Sequence, residues 1–388
     1  MRVILAIKDG RVITMAGPVL ERATVLIEDG KIRSVGPGTG IPEGAQVIDA
    51  AGKVVMPGIM DAHTHIGVHE DGLGWEGADG NECTDPATPQ VRALDGINPE
   101  DMAFEDVRAA GITACTSAPG SGNVLGGEGV VIKTFGKTVD QMFVRVWGMK
   151  AAFGENPKRV YREQKKMPTT RMGTAAILRE NLVKAQNYLI KLEAGEKDPD
   201  KLPERDLKME ALVRVLRREH PLRAHAHRAD DIVTAIRIAE EFGIKVSIEH
   251  CTEGHKIAGY LAEKGVPCVV GPSMTGREKV ELQNLTFETA GILARAGVKI
   301  ALMTDHPVIP LQYLPICAGL AIRSGLDEED ALKAITINAA EIMGVADRMG
   351  SIEPGKDADV IVLSGSPFEL MTTVQYTLIN GRVVYEVK

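Results

Sequence analysis

The sequence predicts an α/β fold in which a (β/α)8 barrel of TIM type is joined to a small β-sandwich domain built from both termini. Strand-like and helical segments alternate through the middle of the chain, and short apolar runs divided by turns occupy both ends. The 388 residues are also enough for a full barrel and a smaller domain. We predict the barrel at residues 57–349 and the composite β domain at residues 1–56 and 350–388.

The predicted β domain is based on turn signals. Apolar runs at residues 3–7, 24–28 and 32–35 are separated by Asp-Gly and Pro-Gly pairs. Near the other end, Asn380 and Gly381 give a hairpin signal between two strand-like runs. Because the two ends share this pattern and the middle does not, we expect them to form one domain.

The predicted barrel is based on alternation. Seven apolar strand-like runs lie at residues 58–65, 111–116, 143–149, 222–227, 245–250, 266–270 and 298–304. Helical stretches separate them, at residues 100–110, 175–192, 207–220, 229–242, 257–264, 286–296 and 328–343. Residues 72–98 and 153–174 are predicted as long polar loops over the active end of the barrel. The glycine-rich stretch after Thr116 is predicted to be flexible.

Composition excludes several classes of function. The formal net charge is −8 with scattered signs, so no basic patch is available for nucleic acid. No apolar run is long enough to cross a bilayer, and the apolar start is too short for a signal peptide. The five cysteines are odd in number and widely spaced, which predicts reduced thiols and a cytoplasmic protein.

Histidines at the ends of strands predict a metal site. His63 and His65 end the first barrel strand, and residues two apart on a strand share a face. His225 and His227 end a second such strand. Alone, each His-x-His pair is weak evidence, because chance pairs of core or surface histidines occur.

Two further groups strengthen the prediction. His250 ends a third apolar strand and Asp305 a fourth. Barrel enzymes carry their active sites at these carboxyl ends. A buried carboxylate or imidazole without a partner is costly, whereas a shared divalent cation would compensate all of them.

These motifs together resemble the amidohydrolase superfamily, in its imidazolonepropionase-like and Xaa-Pro-dipeptidase-like branch, and the resemblance covers essentially the whole chain. The motifs that carry it are PGIMDAHTH ending at His65, HAH at His225, IEH ending at His250, the Thr304–Asp305 pair, and GSIEPGKDAD beginning at Gly350.

The resemblance implies roles for these residues. His63 and His65 match the first-strand metal ligands, His225 the fifth-strand ligand and His250 the sixth-strand ligand. Asp305 matches the eighth-strand aspartate, which binds metal and takes the proton of the attacking water. The implied cofactor is one or two divalent ions, with zinc as the leading candidate.

The group that bridges two metals in such enzymes is less clearly marked. It is either a carbamylated lysine on the fourth strand or a glutamate on the third. No clean lysine motif marks a fourth strand, and residues 148–157 follow what we take to be the third. We therefore predict Glu155 as the bridge, with Lys150 as runner-up and Lys133 third; a solvated carboxylate at a helix start is the plain alternative for Glu155.

Four further residues are predicted to hold substrate or support the ligands. His227 shares a strand face with His225, and a hydrogen-bonded loop histidine is its plain alternative. Arg171, in a segment expected to cover the pocket, could bind a substrate carboxylate. His255 follows a strand end, and His306 follows Asp305 directly.

The resulting expectation is a metal-dependent hydrolase that cleaves an amide, cyclic amide or amidine C–N bond of a small molecule. A dipeptidase or deaminase with the same metal site is the alternative within enzymes, because loops set specificity. A non-catalytic barrel scaffold is the alternative outside them. The sequence predicts neither a nucleic-acid nor a membrane partner, and leaves open a homo-oligomer.

Overall fold

The computed structural model describes residues 4–388. Val3, which was predicted to begin the first strand, lies outside the described residues together with the two residues before it. The strands in chain order are β1 (Ile4–Val12), β2 (Leu20–Glu28), β3 (Lys31–Gly36), β4 (Gln46–Asp49), β5 (Val54–Pro57), β6 (Ile59–Asp61), β7 (Ile112–Ser117), β8 (Leu125–Lys133), β9 (Phe143–Ala152), β10 (Leu222–Ala226), β11 (Val246–His250), β12 (Cys268–Val270), β13 (Ile300–Leu302), β14 (Val360–Leu363), β15 (Val374–Ile379) and β16 (Arg382–Glu386).

The helices lie mainly between the strands of the middle segment. They are α1 (Ala103–Ala109), α2 (Val139–Met142), α3 (Glu155–Glu163), α4 (Arg171–Lys197), α5 (Leu207–Leu216), α6 (Ala229–Phe242), α7 (Ala258–Lys264), α8 (Thr289–Arg295), α9 (Leu314–Arg323), α10 (Glu328–Ala334) and α11 (Ile337–Met343). None of the helices within residues 4–388 combines the length and apolar character that a bilayer crossing requires.

The barrel is a nearly closed sheet of eight strands that follow one another in chain order from β6 to β13. Its strands pair in parallel, except that β8 is antiparallel to both β7 and β9. The seam between β13 and β6 is joined by other contacts. The amide of His65 donates to the carbonyl of His306 (2.9 Å), and the Asp61 carboxylate accepts from the amide (2.9 Å) and hydroxyl (2.7 Å) of Thr304.

Strand β8 corrects the prediction that the glycine-rich stretch after Thr116 is flexible, because all nine of its residues are buried. Its glycines are required by close neighbours. A Cβ on Gly127 would lie 2.3 Å from the carbonyl oxygen of Val91, and one on Gly129 would lie 2.7 Å from the Trp147 ring. The glycines therefore mark tight packing in a barrel strand.

The predicted loop at residues 153–174 is also wrong over most of its length, since α3 and the start of α4 occupy it. Pro157 lies in the first turn of α3, where its missing N–H costs no hydrogen bond. Thr170 caps α4 by accepting a hydrogen bond from the amide of Gly173 (3.0 Å).

Both chain ends contribute to the second sheet, which runs β16-β15-β14-β5-β1-β2-β3, with β4 beside β1. The ends meet where β14 pairs antiparallel with β5, just before the barrel begins. Buried aliphatic side chains from the strands of this sheet, including Ile7, Val25 and Val360, form a cluster separate from the barrel core. The described strands form one continuous sheet, so the β-sandwich is not confirmed, and the domain boundaries stay a prediction.

Lys133, at the end of β8, connects the barrel to the segment that leads into the second sheet. Its ammonium group donates to Asp357 (2.8 Å) and Asp359 (3.1 Å). All three side chains are buried. Lys133 is thus a structural ion-pair residue whose hydrogen bonds go to Asp357, Asp359 and Asn380, and none of them is to a strand-end histidine, which does not favour its suggested role as a metal bridge.

Candidate metal centre

His63 and His65 follow β6 and point their Nε2 atoms at the same carboxylate. Oδ1 of Asp305 lies 3.5 Å from Nε2 of His63 and 3.2 Å from Nε2 of His65. The opposite ring nitrogens are engaged elsewhere. Nδ1 of His63 lies 3.0 Å from Oε2 of Glu249, and Nδ1 of His65 donates to the carbonyl of Ala118 (2.7 Å). Both rings are therefore oriented with Nε2 towards the site.

The three other histidines form a compact group at the ends of β10 and β11. The ring centres of His225 and His250 are 4.1 Å apart, and His227 lies 4.7 Å from the former and 4.5 Å from the latter. Nδ1 of His250 donates to the carbonyl of Gly271 (3.0 Å). One ligand atom from each of these three residues lies within 4.8 Å of the others, and the same holds for His63, His250 and Asp305.

Lys150 on β9 lies among these groups. Its side chain is fully buried, and Nζ is 2.9 Å from Nε2 of His63. Burial lowers the pKa of this amine to about 8. Because β8 is a barrel strand, β9 is the fourth strand of the barrel, which is the position that the family pattern assigns to a bridging lysine.

Glu155, predicted as the bridge, lies outside this group. It begins α3, three residues beyond the end of β9, and lines a separate surface cavity with Arg159 and Arg162. Its amide donates to Oε2 of Glu281 (2.9 Å). The geometry therefore supports Lys150 in place of Glu155.

The electrostatics of the site suit a cation. Burial lowers the pKa values of His63, His225 and His250 well below the ordinary histidine value, so these imidazoles are neutral. Burial would raise the pKa of Asp305, but the neighbouring imidazoles and Lys150 outweigh it and hold that pKa at about 2. The group thus offers neutral nitrogens and one carboxylate, the form in which such side chains bind metal.

Two buried atoms in the group are left without hydrogen-bond partners, namely Nδ1 of His225 and Oδ1 of Asp305. Such orphaned atoms are costly unless something else satisfies them. Imidazole nitrogens and a carboxylate oxygen that face one another with free lone pairs match the ligand set of zinc and related divalent ions. The residues present therefore fit a metal.

The backbone at two of these residues is strained. His250 has a φ of 74° and Asp305 a φ of 55°, and both lie in the left-handed region. For residues other than glycine this conformation costs of the order of 1–3 kcal/mol and is concentrated at functional sites. The positive φ of His250 also interrupts the alternation of side chains along β11, so that Glu249 and His250 both contact the interior of the barrel.

The site opens into a cavity of about 300 Å³. Among the residues predicted to hold substrate, His227 lines this cavity, with Nδ1 2.8 Å from the Thr252 hydroxyl. Burial lowers the pKa of His227 to about 3, so this histidine is neutral.

The remaining three predicted residues do not line the cavity. Arg171 forms an ion pair with Asp231 (3.0 Å) at the start of α4. His255 contacts the Thr289 hydroxyl through Nδ1 (3.0 Å). His306 is buried, and its Nδ1 accepts from the amide of Leu311 (3.3 Å). None of these contacts brings a side chain to the metal ligands.

Sequence reasoning assigned no role to two residues that the structure brings to the site. Asn156 donates to the Ser121 hydroxyl (2.7 Å), and its amide nitrogen lies 3.4 Å from Nε2 of His225. Lys279 donates to the amide oxygen of Asn156 (2.9 Å). Lys279 lies in a loop without a periodic pattern, so no sequence signal could have placed it at the cavity.

Comparison with known proteins supports the same interpretation. The amidohydrolase family model matches residues 54–384. The chain is 29% identical to amidohydrolase tasK of Hapsidospora irregularis over 93% of its own length, but it spans only 40% of that protein. It is 26% identical to the imidazolonepropionase of Porphyromonas gingivalis, covering 97% of this chain and 92% of that one.

Solved structures agree with the fold. An amidohydrolase from Thermotoga maritima MSB8 has 49% identity and a TM-score of 0.96, with 99% of this chain and 100% of that chain covered. A prolidase complexed with N-methylphosphonate-L-proline has 20% identity and a TM-score of 0.62 over 99% of this chain and all of that one, which bears on the fold alone. The predicted resemblance is confirmed: this chain belongs to the amidohydrolase family of hydrolases that act on C–N bonds.

Proposed function

We propose that this protein hydrolyses an amide, cyclic amide or amidine C–N bond in a small molecule, using one or two divalent ions, with zinc as the expected metal. The observation that carries the proposal is the convergence of His63, His65, His225, His250 and Asp305 at the carboxyl end of the barrel. A scaffold without catalysis would not need these five groups to meet.

The same five residues would hold the metal, with Lys150 beside them. A divalent ion bound there would activate a water molecule and polarise the bond at the carbon atom that this water attacks. For a second ion, Lys150 is the proposed bridge. Its neutral amine would attack the carbon of carbon dioxide and lose a proton, which would give a carbamate, an anionic oxygen ligand in place of the amine. The lowered pKa of Lys150 supports this reaction, because it leaves more of the amine uncharged.

Asp305 would accept and then deliver the proton that is transferred in the reaction. Its pKa of about 2 keeps it ionised, and its Oδ1 has no hydrogen-bond donor that would compete for the lone pair. It would accept a proton from the attacking water and deliver it to the leaving nitrogen. His227, which is neutral and lies on the cavity wall, would contact the substrate.

Lys279 supports a substrate that carries a negative charge. It lines the cavity, and its ammonium forms no ion pair with any carboxylate of residues 4–388. Glu278 also lines the cavity, but it is exposed and its side chain lies near Gly276. A substrate that displaces water from an unpaired ammonium must supply an anion or incur a desolvation cost. This favours a carboxylate-bearing amide over the neutral base that a deaminase would require.

We also propose a cytoplasmic location, supported by the free state of all five cysteines.

The test combines metal analysis with a substrate panel. Protein purified without added metal should contain one or two equivalents of a divalent ion, and His63→Ala should lose it. N-acyl amino acids, Xaa-Pro dipeptides, imidazolones and aminated bases should then be screened for turnover. Hydrolysis confined to amides or cyclic amides with a carboxylate supports the proposal; release of ammonia from bases alone would instead establish a deaminase. Folded wild-type protein that contains no divalent ion as purified and binds none when it is added would point to a scaffold.

A further inference from the structure

Three polar side chains stack inside the barrel on the side of His63 away from Asp305. Arg223 lies on β10, and Ser247 and Glu249 lie on β11. Their exposed fractions are 3%, 1% and 0%. We call them the Arg223–Glu249 column. A buried ionic group of this kind requires explanation, because well-packed apolar residues would often be equally stable or more so.

The column is linked by continuous hydrogen bonds. Nη1 of Arg223 donates to the Ser247 hydroxyl (3.1 Å), which donates to Oε1 of Glu249 (2.5 Å). The Arg223 guanidinium is also fixed by the backbone, since it donates to the carbonyls of Trp147 (3.0 Å) and Ile342 (2.6 Å). One carboxylate oxygen of Glu249 is thereby held, and the other faces Nδ1 of His63 at 3.0 Å.

These contacts determine which ring nitrogen of His63 carries the proton. Because the Ser247 hydroxyl and the nearby Arg223 guanidinium stabilise Glu249 as a carboxylate, which can only accept, Nδ1 of His63 is the N–H donor. The contact on the other side of the ring supports the same tautomer, because Nζ of Lys150 lies 2.9 Å from Nε2 of His63 and can donate to the lone pair of that nitrogen. Both neighbours therefore favour the Nδ1–H tautomer, with the Nε2 lone pair directed towards Asp305.

The group that accepts the hydrogen bond from Nδ1 of His63 also differs from the groups beside Nδ1 of the other proposed histidine ligands. His65 and His250 donate from Nδ1 to neutral backbone carbonyls. Nδ1 of His225 has no partner. Of these four histidines, only His63 has a charged acceptor. A carboxylate on the far nitrogen makes an imidazole a stronger metal donor and fixes its orientation.

We propose that Glu249 is a positioning residue that fixes His63 as an Nε2 metal donor, and that Ser247 and Arg223 hold Glu249 for this purpose. The inference rests on the proposed metal-dependent function. It assigns the column to metal affinity rather than to the stability of the barrel.

The experiment compares Glu249→Gln with a matched control, Glu128→Gln. Glu128 is likewise a buried carboxylate on a barrel strand and is paired with Arg214 (3.1 Å), but it contacts no metal-ligand histidine. Metal affinity is measured by competition with a chelator of known affinity. We expect Glu249→Gln to weaken binding by about 10- to 100-fold, Ser247→Ala by less, and Glu128→Gln not at all.

A second measurement reads the tautomer directly in metal-free protein. With 15N-labelled histidine, the nitrogen shifts of His63, identified by their loss in His63→Asn, should show a proton on Nδ1 in the wild type. The proportion of that tautomer should fall in Glu249→Gln. If Glu249→Gln does not fold, the same two measurements on Ser247→Ala decide the question.

The outcomes separate this inference from the proposed function. Wild-type protein that binds metal, with Glu249→Gln and Ser247→Ala binding equally well, would overturn the positioning role alone. A wild-type chain that binds no divalent metal would overturn both. Equal weakening by Glu128→Gln would show a general effect of buried charge and would also overturn the inference.

Discussion

Asp305 combines two properties that a proton acceptor in hydrolysis needs. It is ionised at all ordinary pH values, since the surrounding imidazoles and Lys150 outweigh the effect of burial on its pKa. It also occupies a strained left-handed backbone position that aims its carboxylate at His63 and His65. The strain is balanced by the seam contacts on either side of it, from Thr304 to Asp61 and from His65 to His306.

Asp305→Asn should reduce turnover by about 10²- to 10⁴-fold, the usual contribution of a general acid–base group. Asparagine keeps the shape but cannot accept the proton. Steady-state kinetics on the substrate found by the panel measures the effect, with circular dichroism to confirm folding. Asp71→Asn is the control, because Asp71 is half-exposed and lies near His306 rather than among the ligands. Full activity in Asp305→Asn would refute the role.

Lys279→Met should raise KM for an anionic substrate by about 10-fold or more, because a charge-assisted hydrogen bond is lost. The corresponding neutral amide or ester of that substrate should be affected little. Lys279→Arg should retain most of the affinity, and Glu278→Gln serves as the neighbouring control on the same loop. Equal effects on charged and neutral substrates would argue against anion recognition by Lys279.

The proposed ligand residues could be predicted from the sequence because each lies at or just beyond the end of an apolar strand, as with His250 at the end of β11 and Asp305 after β13. The proposed bridging residue could not, because the prediction missed β8, and Lys150 therefore came directly after what looked like a third strand. Glu249 was visible beside His250 but had no assigned role. Strict alternation places neighbours on opposite faces, and only the positive φ of His250 lets both reach the interior.

At the level of elements, β8 shows how packing can mimic flexibility in a sequence. Its glycines suggested a loop, yet they permit close approach of Val91 and Trp147. The strand ends at Lys133, whose buried ammonium joins the barrel to Asp357 and Asp359. The composition of β8 is therefore set by the residues packed against it, Val91 from a loop and Trp147 from β9, and by the ion pairs at its end.

Lys133→Met should destabilise the protein by about 3–5 kcal/mol, because it leaves the buried carboxylate of Asp359 without its cation, whereas Asp357 keeps its ion pairs with Lys31 and Arg348. Denaturant unfolding of the metal-free protein measures this change in the free energy of unfolding. The control is Lys333→Met on α10, where an exposed pair with Glu329 contributes less than about 0.5 kcal/mol. Similar stability losses in the two variants would contradict the structural role of Lys133.

At the level of the whole molecule, the proposed metal centre lies across the seam between the two end strands of the barrel sheet, β13 and β6. No strand ladder joins β13 to β6, and the seam is linked instead by the hydrogen bond from His65 to His306 and the two from Thr304 to Asp61. The proposed ligands follow β6, β10, β11 and β13, so a bound ion would connect both sides of this seam. Metal would then act as a structural closure of the barrel as well as a catalytic group.

Metal removal should therefore lower the unfolding temperature of the whole chain. An ion present at 100 times its dissociation constant stabilises the folded state by about 2.7 kcal/mol, since it binds only that state. Thermal unfolding before and after dialysis against a chelator, followed by addition of zinc, measures the loss and its recovery. His63→Ala provides the control, because a variant that cannot hold the ion should unfold at the same temperature with and without chelator. If the unfolding temperature of the wild-type protein is likewise unchanged by the chelator, the seam is closed by protein contacts alone.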